Sequence, residues 1–412
     1  VGSEVIAQQI TSYERRGLFS MTGIRPRGFQ ALPVGQGDAF LLQRSDDVTV
    51  LVDGGGSRET FASLLGRFGR PTSLDVVVCT HADADHTKGV LGLLESNHFR
   101  VKEVWLPGRW TDRLIELCTH PYDFVQELYE DVRKSDAGHL EQVVQLSEEE
   151  RDVPPQRDTE PEGISHVAPA SLTEAFESAG TNTEALAGPL GIWPHPWALF
   201  GPPDRHRAAL WIEAITTAAR IRDIALAAHH HGSVLRWFDF VSESQKVTPS
   251  GGEPFLRPVN SVELLTTWRT RKPRALPYLA LSLANKQSLV FVSPETESDS
   301  AVLFSADSDL GFSLDPLKAS RRRRIIATAP HHGSEANAQA YDCVSSAIKE
   351  VPVLWIRSDG RFASRPGARF LKENFRACTL CRGANTSKSL VSMIDTANGW
   401  SFARGQLRCH CK

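Results

Sequence analysis

The segment Thr80-His81-Ala82-Asp83-Ala84-Asp85-His86-Thr87-Lys88-Gly89 places two imidazoles and two carboxylates close together, directly after the apolar run 74–79. That run, Leu-Asp-Val-Val-Val-Cys, is short and rich in β-branched residues. It predicts a buried strand, with the polar cluster on the turn leaving its carboxyl end. Loops held by a rigid strand are where chemistry is usually carried. A solvated loop accounts for acidic residues, but not for two histidines interleaved with two aspartates in a chain that holds 14 histidines. The segment therefore reads as a metal site, with His81, Asp83, Asp85 and His86 as ligands.

The pattern H-x-D-x-D-H resembles the H-x-H-x-D-H signature of the metallo-β-lactamase superfamily, with Asp83 standing where that signature has histidine. In this form it is similar to the ComEC branch, the hydrolase domain attached to bacterial DNA-uptake channels, and to its stand-alone relatives. Other segments resemble that branch in the same order. Upstream lie Val34-Gly35-Gln36-Gly37-Asp38-Ala39 and Leu51-Val52-Asp53-Gly54-Gly55. Downstream lie Asn285-Lys286-Gln287-Ser288-Leu289-Val290, the run 302–307 ending in Asp307, and Ala329-Pro330-His331-His332-Gly333-Ser334. The resemblance covers about residues 28–110 and 275–345.

The resemblance implies an αββα metallo-β-lactamase sandwich with two divalent ions between the edges of two sheets. His81 and Asp83 hold one ion, Asp85, His86 and His332 hold the other, and Asp307 bridges them. His332 is favoured over His331 because it directly precedes Gly333; His331 then supports the ligands from behind. Asp53 is expected either to fix a ligand imidazole or to serve as a turn residue before three glycines. The family's additional histidine has no clear match, and the choice between His98 and His120 stays open.

Asp83 in place of imidazole hardens the site toward manganese or magnesium without excluding zinc. Three ligand carboxylates against two divalent ions leave about one positive charge, which attracts phosphate, and paired ions suit attack of water on phosphorus. Asp85 and Lys88 are the catalytic candidates, Lys88 as a cation for transition-state charge or else an exposed helix lysine. Two basic segments flank the last ligand: four consecutive arginines at 321–324, and Arg357, Arg361, Arg365 and Arg369 in a Gly- and Pro-containing stretch. Guanidinium groups grip phosphate, and Trp355 and Phe362 are placed to stack on bases. Arg357, Arg361 and Arg365 are thus the substrate-binding candidates, with nucleic acid as the expected partner.

The chain has seven cysteines, four of them near its end as Cys378-x-x-Cys381 and Cys409-x-Cys411. Such paired knuckles suit one structural, tetrahedral zinc, with His410 an alternative to one of the last two thiols. Disulfide pairing is the competing reading. The scattered Cys79, Cys118 and Cys343, and N-terminal residues without an apolar secretory core, favour a reducing cytoplasm.

A net charge of −3 gives no global pull toward nucleic acid, and 41% hydrophobic with 23% charged residues is ordinary for a soluble globular chain. No apolar stretch reaches the roughly 18 residues that a membrane span needs. The expected organisation is an appendage over 1–27 with a short helix near 12–18, a hydrolase domain over 28–345 with a polar insertion near 146–170, and a basic loop with a Cys-rich zinc knuckle over 346–412. Helices are expected over 58–68 and 206–231. The second ends in His229-His230-His231-Gly232, where a glycine cap and dipole-complementing imidazoles explain the histidines better than a metal does. Strands are expected within 28–44 and at 48–53, 101–106, 234–240, 278–283, 288–293, 301–306, 324–329 and 353–357. The expected function is a divalent-metal phosphodiesterase or nuclease. The alternatives are a small-molecule lactonase or thioesterase and a non-catalytic interaction module with a vestigial site. A protein partner in a defence or DNA-processing system is implied by family association alone.

Overall fold

The computed structural model describes residues 28–69, 71, 73–135, 172–179, 205–242, 245–265, 272–318, 323–349, 351–360, 362, 365–379, 389–403, 409 and 411. The expected appendage 1–27, the insertion 146–170, and Arg321, Arg322, Arg361, Cys381 and His410 lie outside them.

The strands, in chain order, are β1 Gly28–Ala31, β2 Phe40–Gln43, β3 Thr49–Val52, β4 Ser73–Val78, β5 Arg100–Pro107, β6 Val234–Phe240, β7 Arg257–Pro258, β8 Ser261–Glu263, β9 Phe291–Ser293, β10 Val302–Phe304, β11 Ile325–Thr328, β12 Val353–Arg357, β13 Arg376–Cys378, β14 Val391–Thr396 and β15 Gly399–Phe402. The helices are α1 Phe61–Phe68, α2 Ala84–Ser96, α3 Thr111–Thr119, α4 Pro121–Lys134, α5 Leu172–Ala179, α6 Arg205–His230, α7 Ala275–Leu283, α8 Asp315–Lys318, α9 Ala338–Ile348 and α10 Ala368–Lys372.

Alternation along the strands builds the layers, because successive side chains face opposite sides of a sheet. In β3, Val50 and Val52 join the core between the sheets while Leu51 faces helices. In β10, Val302 and Phe304 point inward and Leu303 outward. Nine strands form one sheet, ordered β15-β14-β1-β2-β3-β4-β5-β6-β8, and six form the other, ordered β13-β12-β11-β10-β9-β7. Phe29, Phe40, Trp105 and Phe238 of the first sheet meet Phe291, Phe304, Ile326 and Ile356 of the second. Each fully buried side chain of this kind contributes about 1.5–3 kcal/mol. Helices α1 to α4, α6 and α7 cover the outer face of the first sheet, and α8, α9 and α10 cover that of the second. The result is an αββα sandwich. No helix among the described residues is long and apolar enough to cross a membrane.

The run β3-β4-β5-β6 is parallel, and so is β10-β11-β12-β13. Within each sheet the carboxyl ends of these strands therefore share one edge, where the turns that carry polar residues collect.

The segment 278–283, expected as a strand, lies in helix α7. Its residues are buried nearly all round, so they show neither a two-residue nor a helical period. Ala and Leu favour a helix, and Pro277 sits in the first turn, where its missing N–H is not needed. The helix is locked in place by Tyr278, whose hydroxyl donates to Trp110 O at 3.0 Å. The segment 346–412, expected as a strand over 353–357 followed by a basic loop and a Cys-rich knuckle, supplies that strand as β12 and adds β13 beside it, and it also gives β14 and β15 to the other sheet.

Candidate metal centre

The turns after β3, β4, β10 and β11 converge, carrying Asp53, His81, Asp307 and His332 respectively. Close backbone packing sets their positions. Gly54 N donates to His86 O at 2.8 Å, and Gly89 N donates to Gly55 O at 3.0 Å. A Cβ on Gly89 would fall 1.9 Å from Gly54 O, so α2 can approach the end of β3 only with glycine there. This contact seats His86 with Nδ1 2.8 Å from Asp53 Oδ2. Asp53 is itself fixed, accepting from Thr80 N at 2.9 Å and Thr80 Oγ1 at 2.8 Å. Nδ1 of His86 is thereby engaged, and Nε2 faces the centre.

Asp83 is the N-cap of α2, yet its side chain makes no capping hydrogen bond. An N-cap aspartate ordinarily accepts from the first turn. Here Thr87 Oγ1 and the N–H groups of His86 and Thr87 use the Asp83 carbonyl instead, leaving the carboxylate free. Its Oδ2 lies 3.5 Å from His81 Nε2.

His331, His332 and Gly333 all have positive φ, at 45°, 54° and 79°. Two consecutive histidines in this region are strained, and such strain persists only where neighbours over-determine it. Arg357 Nε donates to His332 O at 2.6 Å, Gly367 N to Gly333 O at 2.8 Å, and His331 N to Ala306 O at 3.0 Å. The turn directs His332 Nε2 inward and brings its Nδ1 to 3.1 Å from Asp38 Oδ1, off the line of a regular hydrogen bond.

Two ligand groups meet at Asp307. On one side its Oδ1 lies 3.2 Å from His86 Nε2 and 3.5 Å from His332 Nε2. On the other its Oδ2 lies 3.9 Å from His81 Nε2 and 3.6 Å from His331 Nε2. Asp38, His86, Asp307 and His332 could hold one ion, and His81, Asp83 and Asp307 another. Asp85 Oδ2 adjoins the first group, 3.5 Å from His332 Nε2. Burial pushes the Asp307 carboxyl up, but His332, His86 and His81 outweigh it and hold the group well below the usual range. Burial likewise opposes charge on His86, yet Asp307 and Asp53 raise that imidazole well above its ordinary value. His332 is raised to about 9: burial lowers it, and Asp307 and Asp38 more than compensate. Asp85 is lowered, its burial overcome by His86 and His332.

The residues fit divalent cations. His81 Nε2 and Asp307 Oδ1 are buried and accept or donate no hydrogen bond among the described residues. Orphaned buried polar atoms are costly unless something binds them. Imidazole nitrogens mixed with carboxylate oxygens suit zinc, manganese or a related ion.

The structure thus brings together His81, Asp83, Asp85, His86, Asp307 and His332, and it gives Asp53 the role of holding an imidazole. Asp38 has no role in the sequence reading; its carboxylate lies 3.1 Å from His332 Nδ1 and raises that imidazole's pKa by charge. Its only signal was its place in the Gly-Gln-Gly-Asp turn. His331 stands beside Asp307 with its Nδ1 3.1 Å from Asn337 Oδ1. His98 and His120 are exposed and belong to neither group. Lys88 is exposed on α2. His231 Nε2 lies 2.9 Å from Phe99 O, and Gly232, at φ 76°, ends α6 as expected.

The basic segment requires correction. Arg357 is fully buried, donating to His332 O and Gly360 O and pairing with Asp359 at 3.1 Å, so it braces the His331-His332-Gly333 turn and offers nothing to a substrate. Trp355 is also fully buried, its ring 4.3 Å from that of Tyr341 on α9, and cannot stack on a base. Strand alternation explains this, since Trp355 points into the helix layer. Arg365 lies over the exposed ring of Phe362, 3.5 Å from Asp359. Arg369 pairs with Asp342 and Glu373.

At the far end of β13, Cys378 Sγ lies 3.5 Å from Cys411 Sγ and 3.9 Å from Cys409 Sγ. Together the three sulfurs could hold a metal ion.

Residues 32–235 match the family model of the metallo-beta-lactamase superfamily. The match takes in Asp38, Asp53 and the His81 to His86 segment and ends before Asp307 and His332, which the second sheet contributes. With the αββα layers it gives the metallo-β-lactamase fold. No curated protein matches the chain.

Proposed function

We propose that this chain, built on the metallo-β-lactamase fold, is a divalent-metal-dependent phosphodiesterase resembling the ComEC branch and working in the cytoplasm. Asp307 carries the reading: its two oxygens face separate ligand groups, the arrangement a pair of metal ions needs. Ions bound there supply Lewis acidity and lower the pKa of water for attack on phosphorus.

The chain's own residues do the rest. Asp53 and Asp38 fix which nitrogen His86 and His332 present. The positive end of the α2 dipole steadies Asp83 and Asp85. Asp85, its pKa lowered, stays ionised at neutral pH and can accept a hydrogen bond from attacking water. The free thiols of Cys79, Cys118 and Cys343 support the cytoplasmic setting, and we assign Cys378, Cys409 and Cys411 to one structural zinc, with Cys381 as the expected fourth ligand.

Nucleic acid remains the favoured substrate through the H-x-D-x-D-H resemblance. The burial of Arg357 and Trp355 favours a second reading, a small-molecule lactonase or thioesterase, because the segment meant to grip a phosphate backbone is used internally. One assay separates them. Protein loaded with manganese, magnesium or zinc is offered plasmid, single-stranded DNA, RNA, bis(p-nitrophenyl) phosphate, a lactone and a thioester. Phosphodiester cleavage supports the first reading; turnover of only the last two substrates supports the second.

A further inference from the structure

Arg220 lies on α6, outside every motif, where that helix packs against α2. Its Nε donates to Ala82 O, the carbonyl between His81 and Asp83, at 2.7 Å. Its Nη2 donates at 2.9 Å to Thr217 Oγ1, a fully buried hydroxyl one turn earlier. The Ala82 peptide is gripped on its other side as well, its N–H donating to Ser282 O at 3.1 Å. Arg220 is half-buried, and among the described residues no carboxylate lies within ion-pair distance of it. The charges it feels most are those of Asp83 and Asp85. A guanidinium fixed through Nε and Nη2, with no hydrogen bond from Nη1 among the described residues, is preorganised to receive an oxyanion.

Charge gives that arrangement a purpose. Asp38 and Asp53 are as deeply buried as Asp307, so they count with the three carboxylate ligands. Five negative charges then face the four positive charges of two divalent ions, with neutral imidazoles. The centre is left negative and repels an anion, contrary to the sign expected from the ligands alone. Arg357, behind His332, does not offset this because Asp359 cancels it.

We propose that Arg220 is an anion-anchoring residue of the metal centre, its Nη1 taking a phosphoryl oxygen and so selecting anionic substrates over neutral ones. The proposal rests on the phosphodiesterase reading and names the group that makes it selective.

Inorganic phosphate is titrated by calorimetry into the manganese-loaded full chain, as wild type, Arg220→Gln, Arg220→Lys and Thr217→Val. Metal content is measured on the same samples. Arg220→Gln is expected to weaken phosphate binding by about tenfold or more at unchanged metal content, the loss that removing one charge-assisted contact brings. Arg220→Lys recovers part of it, and Thr217→Val, which frees the guanidinium but keeps its charge, loses less. The preference for bis(p-nitrophenyl) phosphate over uncharged p-nitrophenyl acetate falls in parallel. Phosphate affinity unchanged in Arg220→Gln overturns the proposal, as does a loss seen only with lost metal, which would make Arg220 a brace for the His81 to Asp83 turn. Phosphodiester cleavage that is the same in wild type and Arg220→Gln sinks this inference alone. Phosphate binding that depends on Arg220 in a protein cleaving no phosphodiester upholds it and sinks the phosphodiesterase reading.

Discussion

Asp53 Oδ2 accepts from His86 Nδ1 at 2.8 Å, and this bond decides which imidazole nitrogen faces the metal centre. Asp38 Oδ1 lies 3.1 Å from His332 Nδ1, close enough to act on that imidazole by charge but off the line of a regular hydrogen bond. The two carboxylates come from adjacent turns of the first sheet but serve one histidine from each half of the chain.

Replacing either carboxylate by an amide keeps shape and removes charge. Asp53→Asn and Asp38→Asn are expected to lower metal affinity about 10- to 100-fold while leaving the fold intact. Competition with a metal-sensitive chelating dye measures this; affinities equal to wild type would mean that these aspartates only pack.

In the metal-free protein His332 titrates at about 9 and His86 well above its ordinary value, so both carry protons near neutral pH. Metal must displace them, and apparent affinity therefore rises with pH up to about 9. Stability of the metal-free chain runs the other way. A raised imidazole pKa contributes stability that is complete below the unfolded value of 6.5 and is lost as pH climbs through about 9. Calorimetry in buffers of different ionisation enthalpy should register proton release, and thermal melts without metal should fall over the same interval. Binding that releases no protons at neutral pH contradicts this.

Arg357→Met takes from Asp359 its buried ion partner and leaves it Arg365 Nε at 3.5 Å and the Gly37 N–H at 2.9 Å. Breaking a buried pair costs about 3–5 kcal/mol when the charge is left uncompensated, and the remaining partners reduce this, so the melting temperature should drop by less than that full cost would give. The salt dependence of DNA binding should keep its slope, whereas a phosphate-contacting arginine would remove about one unit. Chemical denaturation and binding at several salt concentrations distinguish the two roles.

How much of this could be read in the sequence follows from chain distance. His81, Asp83, Asp85 and His86 share one turn, so their chemistry shows in one short segment. Asp307 and His332 lie in the other sheet and were reachable only through the order of the family's motifs. Asp38 sat in one of those motifs, but its role depends on meeting His332 across the sandwich. Arg220 lies in a long helix with no motif, and only the approach of α6 to Ala82 reveals it. Arg357 and Trp355 misled because composition marks a basic, aromatic stretch without saying which side chains a parallel strand buries. The run 278–283 misled because a segment buried all round shows no period.

The cysteine group is expected to bear on the distant centre. Thr379, next to Cys378, donates through Oγ1 to Ser358 O at 2.7 Å, and Ser358 Oγ accepts from Ala39 N at 3.0 Å and donates to Gly37 O at 3.1 Å. Those contacts flank Asp38. Cys409→Ser should lose one zinc per chain and weaken metal binding at the other centre several-fold. Elemental analysis with mass spectrometry of the unreduced protein checks it; a disulfide among Cys378, Cys409 and Cys411 in place of zinc would contradict it.

The central claim is a two-ion centre bridged by Asp307. Crystals of the manganese-loaded chain, measured at the manganese absorption edge, should show two anomalous peaks flanking the Asp307 carboxylate. One should lie against His81 and Asp83, the other against Asp85, His86 and His332. No peak there, or a single peak on one side of Asp307 at saturating manganese, would contradict the account.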